Sequence, residues 1–259
     1  MLAKIRCFLR TYPYAVIVAY PLLHILLFFL LGQYDVDRYL IESRLDAYIP
    51  FCEWFVIPYY IWYVYLFGGM VAFLFVSRKD FLRMALCTIG GMAICIAVCV
   101  VFPTAIAFRP TDFDRSNPLI WLVEFTYSMD QPWNVFPSMH CFGAIGITIA
   151  VWKSEMIGKF AWAKVSSGIL CVLICLSTLF IKQHSILDLF SATVLAAALY
   201  PIAYRVQWKF LKGPDVAEFL RESCRNSRKN GDHLKRTKDP TRSADPLFQR
   251  DLPQRRKND

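Results

Sequence analysis

Several kinds of chemistry are excluded by what the chain lacks. Its 259 residues contain no DxDxG metal loop and no glycine-rich nucleotide cradle, so a phosphate site here has to work without those supports. The nine cysteines include no compact CxxC knuckle. Cys95 and Cys99, like Cys171 and Cys175, stand four apart on apolar helices, where thiolates are costly and cysteine serves as a small packing residue. Neither a metal nor any other cofactor is therefore expected. If a disulfide forms, Cys52 and Cys141, both near the outer face, are the better-placed pair. There is no internal repeat, and the first apolar segment is too long, too aromatic and too poor in small residues at its exit for a cleaved signal peptide.

What is abundant is apolar surface. The composition is 56% hydrophobic and 16% aromatic, and the mean hydropathy is positive. Soluble domains of this length rarely reach that level, whereas bundles of membrane helices do. A span needs roughly 20 mostly apolar residues to cross ~30 Å of hydrocarbon. Six segments qualify, at about 13–31, 52–76, 84–108, 135–152, 163–182 and 185–207. The expected fold is all-α, a polytopic membrane protein with a catalytic domain over 1–207 and a basic, disordered tail over 208–259.

Counting Lys and Arg outside the spans orients the bundle. With the N-terminus cytoplasmic, 24 of the 29 basic residues lie inside. The five left outside are Arg38, Arg44, Arg109, Arg115 and Lys182. Both termini are thus expected in the cytoplasm, and the short format is that of a bacterial plasma-membrane protein. The tail, in which "LKGPDVAEFLRESCRNSRKN" suits a short amphipathic helix, is attracted to anionic lipid headgroups. The net charge of +9 accordingly reads as membrane orientation, with the tail as a solvated topology determinant, and not as nucleic-acid binding.

Ionisable groups at membrane edges are expensive and face cavities or sites. The segment "NVFPSMHCFGAIGITIAVW" places Ser138 and His140 at the mouth of an apolar helix. In "STLFIKQHSILDLF", His184 and Asp188 are four apart, on one helical face. The carboxylate can engage one ring nitrogen and leave the other free as nucleophile or base. "FRP" sets Arg109 at the end of the third span. The derived topology, which used none of the histidines or Asp188, puts these groups on the outer side. His24, mid-span with no evident partner, reads as a packing histidine. The aromatic run "EWFVIPYYIWYVYLF" reads as an interfacial belt with ordinary packing, and Glu53 at its outer end as a contact for a polar headgroup.

The ordered set of Arg-Pro, Pro-Ser-Met-His and Ser-Thr-x5-His-x3-Asp resembles the lipid phosphatase/phosphotransferase superfamily of type 2 phosphatidic acid phosphatases. Its motifs run Lys-x6-Arg-Pro, Pro-Ser-Gly-His and Ser-Arg-x5-His-x3-Asp. The likeness covers roughly 100–200, and a six-helix layout extends it over most of the chain. It implies that His184 attacks phosphorus, that Asp188 orients it, and that His140 protonates the leaving oxygen. Arg109, Ser138 and Ser177 hold phosphate oxygens by the same resemblance. The implied activity is hydrolysis of a phospholipid or isoprenoid phosphate at the extracytoplasmic face.

Three positions depart from the motifs: Phe102 replaces the lysine, Met139 the glycine and Thr178 the arginine. Two phosphate cations are therefore missing, and Lys182, one helical turn after Thr178, is the candidate to restore one. Loss of that arginine is also similar to the inositol-phosphorylceramide and sphingomyelin synthase branch, in which an alcohol replaces water as acceptor. A non-catalytic lipid-binding membrane protein with the same fold is the alternative of another class.

Overall fold

The structure is a computed structural model that describes residues 10–216 and 218. These residues are mostly helical. A 3-10 segment, Pro13–Ala19, leads into α1 (Tyr20–Gly32). Then come α2 (Val56–Leu74), α3 (Arg78–Val101), α4 (Pro118–Met129), α5 (Met139–Lys153), α6 (Ala161–Phe180) and α7 (Ile186–Tyr204). Among the described residues five helical segments are long and apolar enough to cross a membrane: Pro13–Gly32, Glu53–Leu74, Arg78–Val101, Ala161–Phe180 and Ile186–Tyr204. Their outward faces carry exposed Leu22, Val64, Ile169, Val172 and Val194, large apolar side chains that suit lipid contact and not water.

The fourth expected span is different. α5 has 15 residues, about 22 Å of helix, against roughly 30 Å of hydrocarbon. It packs against α2, α3, α6 and α7 and buries residues all round, from Met139 to Ala150. Protein, not lipid, is its surrounding. Small residues make that fit possible. A Cβ on Gly91 of α3 would meet the Phe142 ring at 1.9 Å, and one on Gly146 would meet Thr88 Oγ1 at 2.5 Å. Gly91→Ala is therefore expected to cost about 1–3 kcal/mol through overpacking, read as a lower Tm in detergent. Gly90→Ala, whose Cβ meets nothing within 4 Å among the described residues, serves as the control. Equal melting of the two variants would refute the close α3–α5 contact.

The third span was expected to reach residue 108, but α3 ends at Val101. Pro103 has no N–H to continue the ladder and disfavours helical backbone at Phe102. The chain turns extended instead: Thr104–Ala105 pairs in parallel with Tyr39–Leu40, and Ala105 bridges Trp133 on its other side. This seam fixes the loops that carry the candidate site residues. Helix α4 was not foreseen; Asn117 caps it by accepting from Leu119 N and Ile120 N, both at 2.9 Å, with Pro118 at its first turn.

The end of the bundle away from these loops has its own ties. Lys79 pairs with Glu155 at 2.7 Å, and Ser154 Oγ donates to Asp80 Oδ2 at 2.7 Å. The compact unit runs on through Asp215: Arg78 donates to Phe210 O, and its amide to the Asp215 carboxylate. Of the tail expected over 208–259, residues 208–216 and 218 are described, with a 3-10 turn at Lys209–Leu211; the rest of the expected amphipathic segment and everything beyond it lie outside the described residues. The seven cysteines among the described residues, Cys52 and Cys141 included, are free thiols.

Candidate active site

His184 and Asp188 straddle the start of α7. Ser185 is its N-cap, and Asp188 Oδ2 accepts from Ser185 N at 3.0 Å in a capping box. The same oxygen meets His184 Nδ1 at 3.1 Å. Asp188 therefore fixes both the helix start and the ring: Nδ1 donates to it, and Nε2 keeps the lone pair of the neutral imidazole. Burial alone pushes the His184 pKa down, but the Asp188 hydrogen bond and charge outweigh it and hold it above its ordinary value.

A second carboxylate braces the first. Asp46, buried in the 3-10 turn Arg44–Tyr48, accepts from Ser185 Oγ at 2.6 Å, Ile186 N at 2.9 Å and Ser43 N at 2.8 Å. A negative group at these amides also suits the positive end of the α7 dipole.

His140 enters from the first turn of α5. Its ring stacks on Tyr59, with centroids 4.5 Å apart at 29°, and lies 4.3 Å from the Trp62 ring. The two imidazoles, His140 and His184, are 5.8 Å apart, centroid to centroid. His140 Nε2 has no hydrogen-bond partner among the described residues.

Arg109 is positioned by the far end of α4. Nη1 donates to Asp130 O at 2.8 Å, Nη2 donates to Gln131 O at 3.3 Å and to Gln183 Oε1, and the guanidinium lies 4.8 Å over the Tyr127 ring. Tyr127 is itself held, Oη donating to Ile181 O at 2.7 Å. Burial pulls the Arg109 pKa down while the Asp130 carboxylate counters it, and a guanidinium remains charged at any ordinary pH.

His140, His184 and Arg109 share the wall of one cavity of about 600 Å³. Asp130 and Gln183 join them there, with His24 and the aromatic rings of Phe28, Phe29, Trp62, Tyr63 and Trp133. A polar cluster under an aromatic vestibule can accept a ligand with one charged end and one apolar end.

The other expected phosphate contacts do not face this cavity. Ser138 is fully buried; its Oγ accepts from Cys141 N at 3.3 Å as the α5 cap, and its amide donates to Asp188 O at 3.3 Å. Ser177 Oγ donates to Ile174 O at 2.6 Å. Lys182 does not restore the missing cation here. Its backbone is left-handed, φ 54°, and Nζ donates to Asp46 O at 2.9 Å and Ile49 O at 2.5 Å. A lysine on the same helical face as Thr178 requires the helix to continue; α6 ends at Phe180, and the turn swings Lys182 away.

Sequence reasoning missed Asp130, Gln183 and Tyr59, whose Oη donates to Asp130 Oδ2 at 2.5 Å. It took His24 for a packing residue, yet His24, 6% exposed, lies on the cavity wall. A signal was present for Gln183, which immediately precedes His184, and for Asp130, ten residues before His140. Nothing in the sequence pointed to Asp46. Compared with protein-family models, curated proteins and solved structures, the chain matches none.

Proposed function

We propose that the protein is a six-span membrane enzyme of the type 2 phosphatidic acid phosphatase kind, cleaving a lipid phosphate through a phosphohistidine on His184. The observation that carries this reading is the pairing on one cavity wall: a His184 ring with Nδ1 fixed by Asp188, opposite a His140 whose Nε2 is unpartnered among the described residues. In the first step the His184 Nε2 lone pair attacks phosphorus and the phosphorus–oxygen bond to the lipid alcohol breaks. That oxygen takes a proton from His140. In the second step water gives a proton to His140 and attacks phosphorus, and the nitrogen–phosphorus bond breaks to release phosphate. Arg109 faces the charge that develops on the phosphoryl oxygens. The aromatic vestibule suits the apolar part of a phospholipid or isoprenoid phosphate. The excess of basic residues near the opposite end of the bundle supports an extracytoplasmic site with cytoplasmic termini.

One observation favours the alternative acceptor, an alcohol in a phospho-headgroup transfer. Asp130 places a carboxylate beside Arg109 on the same wall, and Lys182 is engaged elsewhere. With few cations on this wall, the two charges of a phosphate monoester are less fully compensated than the single charge of the phosphodiester that a headgroup transfer uses as donor.

The test is direct. Purified protein in detergent, given lipids labelled with radioactive phosphorus, is expected to hold the label in an acid-labile, base-stable form. Free phosphate among the products signals water as acceptor, and a new headgroup lipid signals an alcohol. No label and no product across a panel of phosphomonoester, diphosphate and phosphodiester lipids would overturn the enzyme reading in favour of a lipid-binding protein.

A further inference from the structure

Gln183 is 1% exposed, lies on the cavity wall, and has a side-chain nitrogen with no partner among the described residues. A buried primary amide left in that state costs free energy in the empty protein. Its orientation is set by chemistry. Arginine only donates, so the Gln183 atom that meets Arg109 Nη2 must be the oxygen, and Nε2 is the end left over.

The backbone beneath it is pinned. The amides of Gln183 and His184 both donate to Thr178 O, at 2.9 and 3.0 Å. Gln183 and the His184 ring therefore ride on one closed turn, and the amide cannot drift relative to the imidazole without opening it. Two more buried nitrogens on the same wall, Arg109 Nε and His140 Nε2, are likewise unpartnered among the described residues. Three buried nitrogen atoms of cavity-lining residues, each without an acceptor among the described residues, leave unmet donor capacity that suits an oxygen-rich anion.

We infer that the Gln183 amide is a transition-state-binding donor of this site, its Nε2 hydrogen-bonding an equatorial phosphoryl oxygen while its Oε1 steers Arg109. The inference rests on the phosphoryl-transfer reading above and deepens it: a neutral amide takes up part of the task of the absent motif cations. A neutral donor suits a site that already holds the Asp130 charge beside Arg109, because it adds a hydrogen bond without a further cation to desolvate. Its contribution rises where oxygen charge and geometry change, at five-coordinate phosphorus.

The experiment uses two replacements in the full chain, purified in detergent. Gln183→Glu keeps an oxygen for Arg109 and removes the donor; Gln183→Met removes both at similar volume. The readouts are kcat and KM on a lipid phosphate accepted by the unaltered protein, and competition by orthovanadate, a five-coordinate mimic, against inorganic phosphate. In both variants kcat is expected to fall about ten- to a hundred-fold with KM within about twofold. Orthovanadate affinity should weaken by a similar factor and phosphate affinity much less. Should Gln183→Met fail to fold, Gln183→Glu carries the test. Wild-type kcat and orthovanadate affinity in Gln183→Glu, whatever Gln183→Met does, would reduce Gln183 to a support for Arg109 and overturn the inference. Equal weakening of phosphate and orthovanadate would overturn the transition-state assignment. In those cases the enzyme reading stands. An unaltered protein that neither turns over any lipid phosphate nor binds orthovanadate overturns both.

Discussion

His184→Ala is expected to form neither phosphoenzyme nor product from any lipid phosphate, a fall of about 10⁴-fold or more. No other side chain on the cavity wall combines a free nitrogen lone pair with a carboxylate to orient it: His140 is stacked on Tyr59, with no such contact among the described residues. Asp188→Asn separates orientation from nucleophilicity. The ring stays, but its tautomer is no longer enforced, so the rate should fall less than in His184→Ala.

The pH profile gives the sign. Asp188 holds the His184 pKa above its ordinary value against the opposing effect of burial. Attack needs the neutral ring, so the acid limb of the rate should inflect above about pH 6.5. In Asp188→Asn burial acts unopposed by that carboxylate, and the limb should move to lower pH. The matching stability is present below the unfolded pKa, where His184 is charged in both states, and is lost as pH rises through the raised folded value. An acid limb unmoved in Asp188→Asn would remove the pair from the chemistry. A phosphoenzyme that survives in His184→Ala would remove the nucleophile.

The second large effect belongs to His140 and depends on the leaving group. His140→Ala keeps the nucleophile and loses only protonation of the departing oxygen, a contribution typically of about 10²–10⁴-fold. A nitrophenol scarcely needs that proton. Rates on nitrophenyl phosphate should therefore recover most of the loss seen with an alkyl phosphate, the small substrate entering through the same cavity of about 600 Å³. Equal losses on both leaving groups would exclude His140 as the acid. They would leave its unpartnered Nε2 as an oxygen contact like that assigned to Gln183.

Much of this was legible in the sequence, and for definable reasons. Hydropathy and length marked the long apolar helices, because lipid imposes a run of apolar residues on any segment that faces it. The four-residue spacing of His184 and Asp188 foretold a contact but not its cause: His184 precedes the N-cap Ser185, so the capping box that holds Asp188, and not a continuous helical face, brings the two together. The capping serines, Ser77, Ser138 and Ser185, stand just before the helices they start.

Contacts distant in sequence were not legible. That α5 is short and enclosed by four neighbouring helices was not legible, because burial in protein and burial in lipid select the same residues. Lys182 looked like a cavity cation because the helix was assumed to run on through it. The end of α6 at Phe180 and the left-handed turn at Lys182 sent Nζ to the carbonyls of Asp46 and Ile49 instead. Asp46, Asp130 and Gln183 carry no local pattern at all. Asp46 reaches Ser185 across 139 positions of chain, and Gln183 meets Arg109 across 74. Periodicity and spacing are short-range properties, set by backbone geometry within a helix or turn. Which helix ends come together, and which buried donors are left without an acceptor, is settled only when the whole bundle closes.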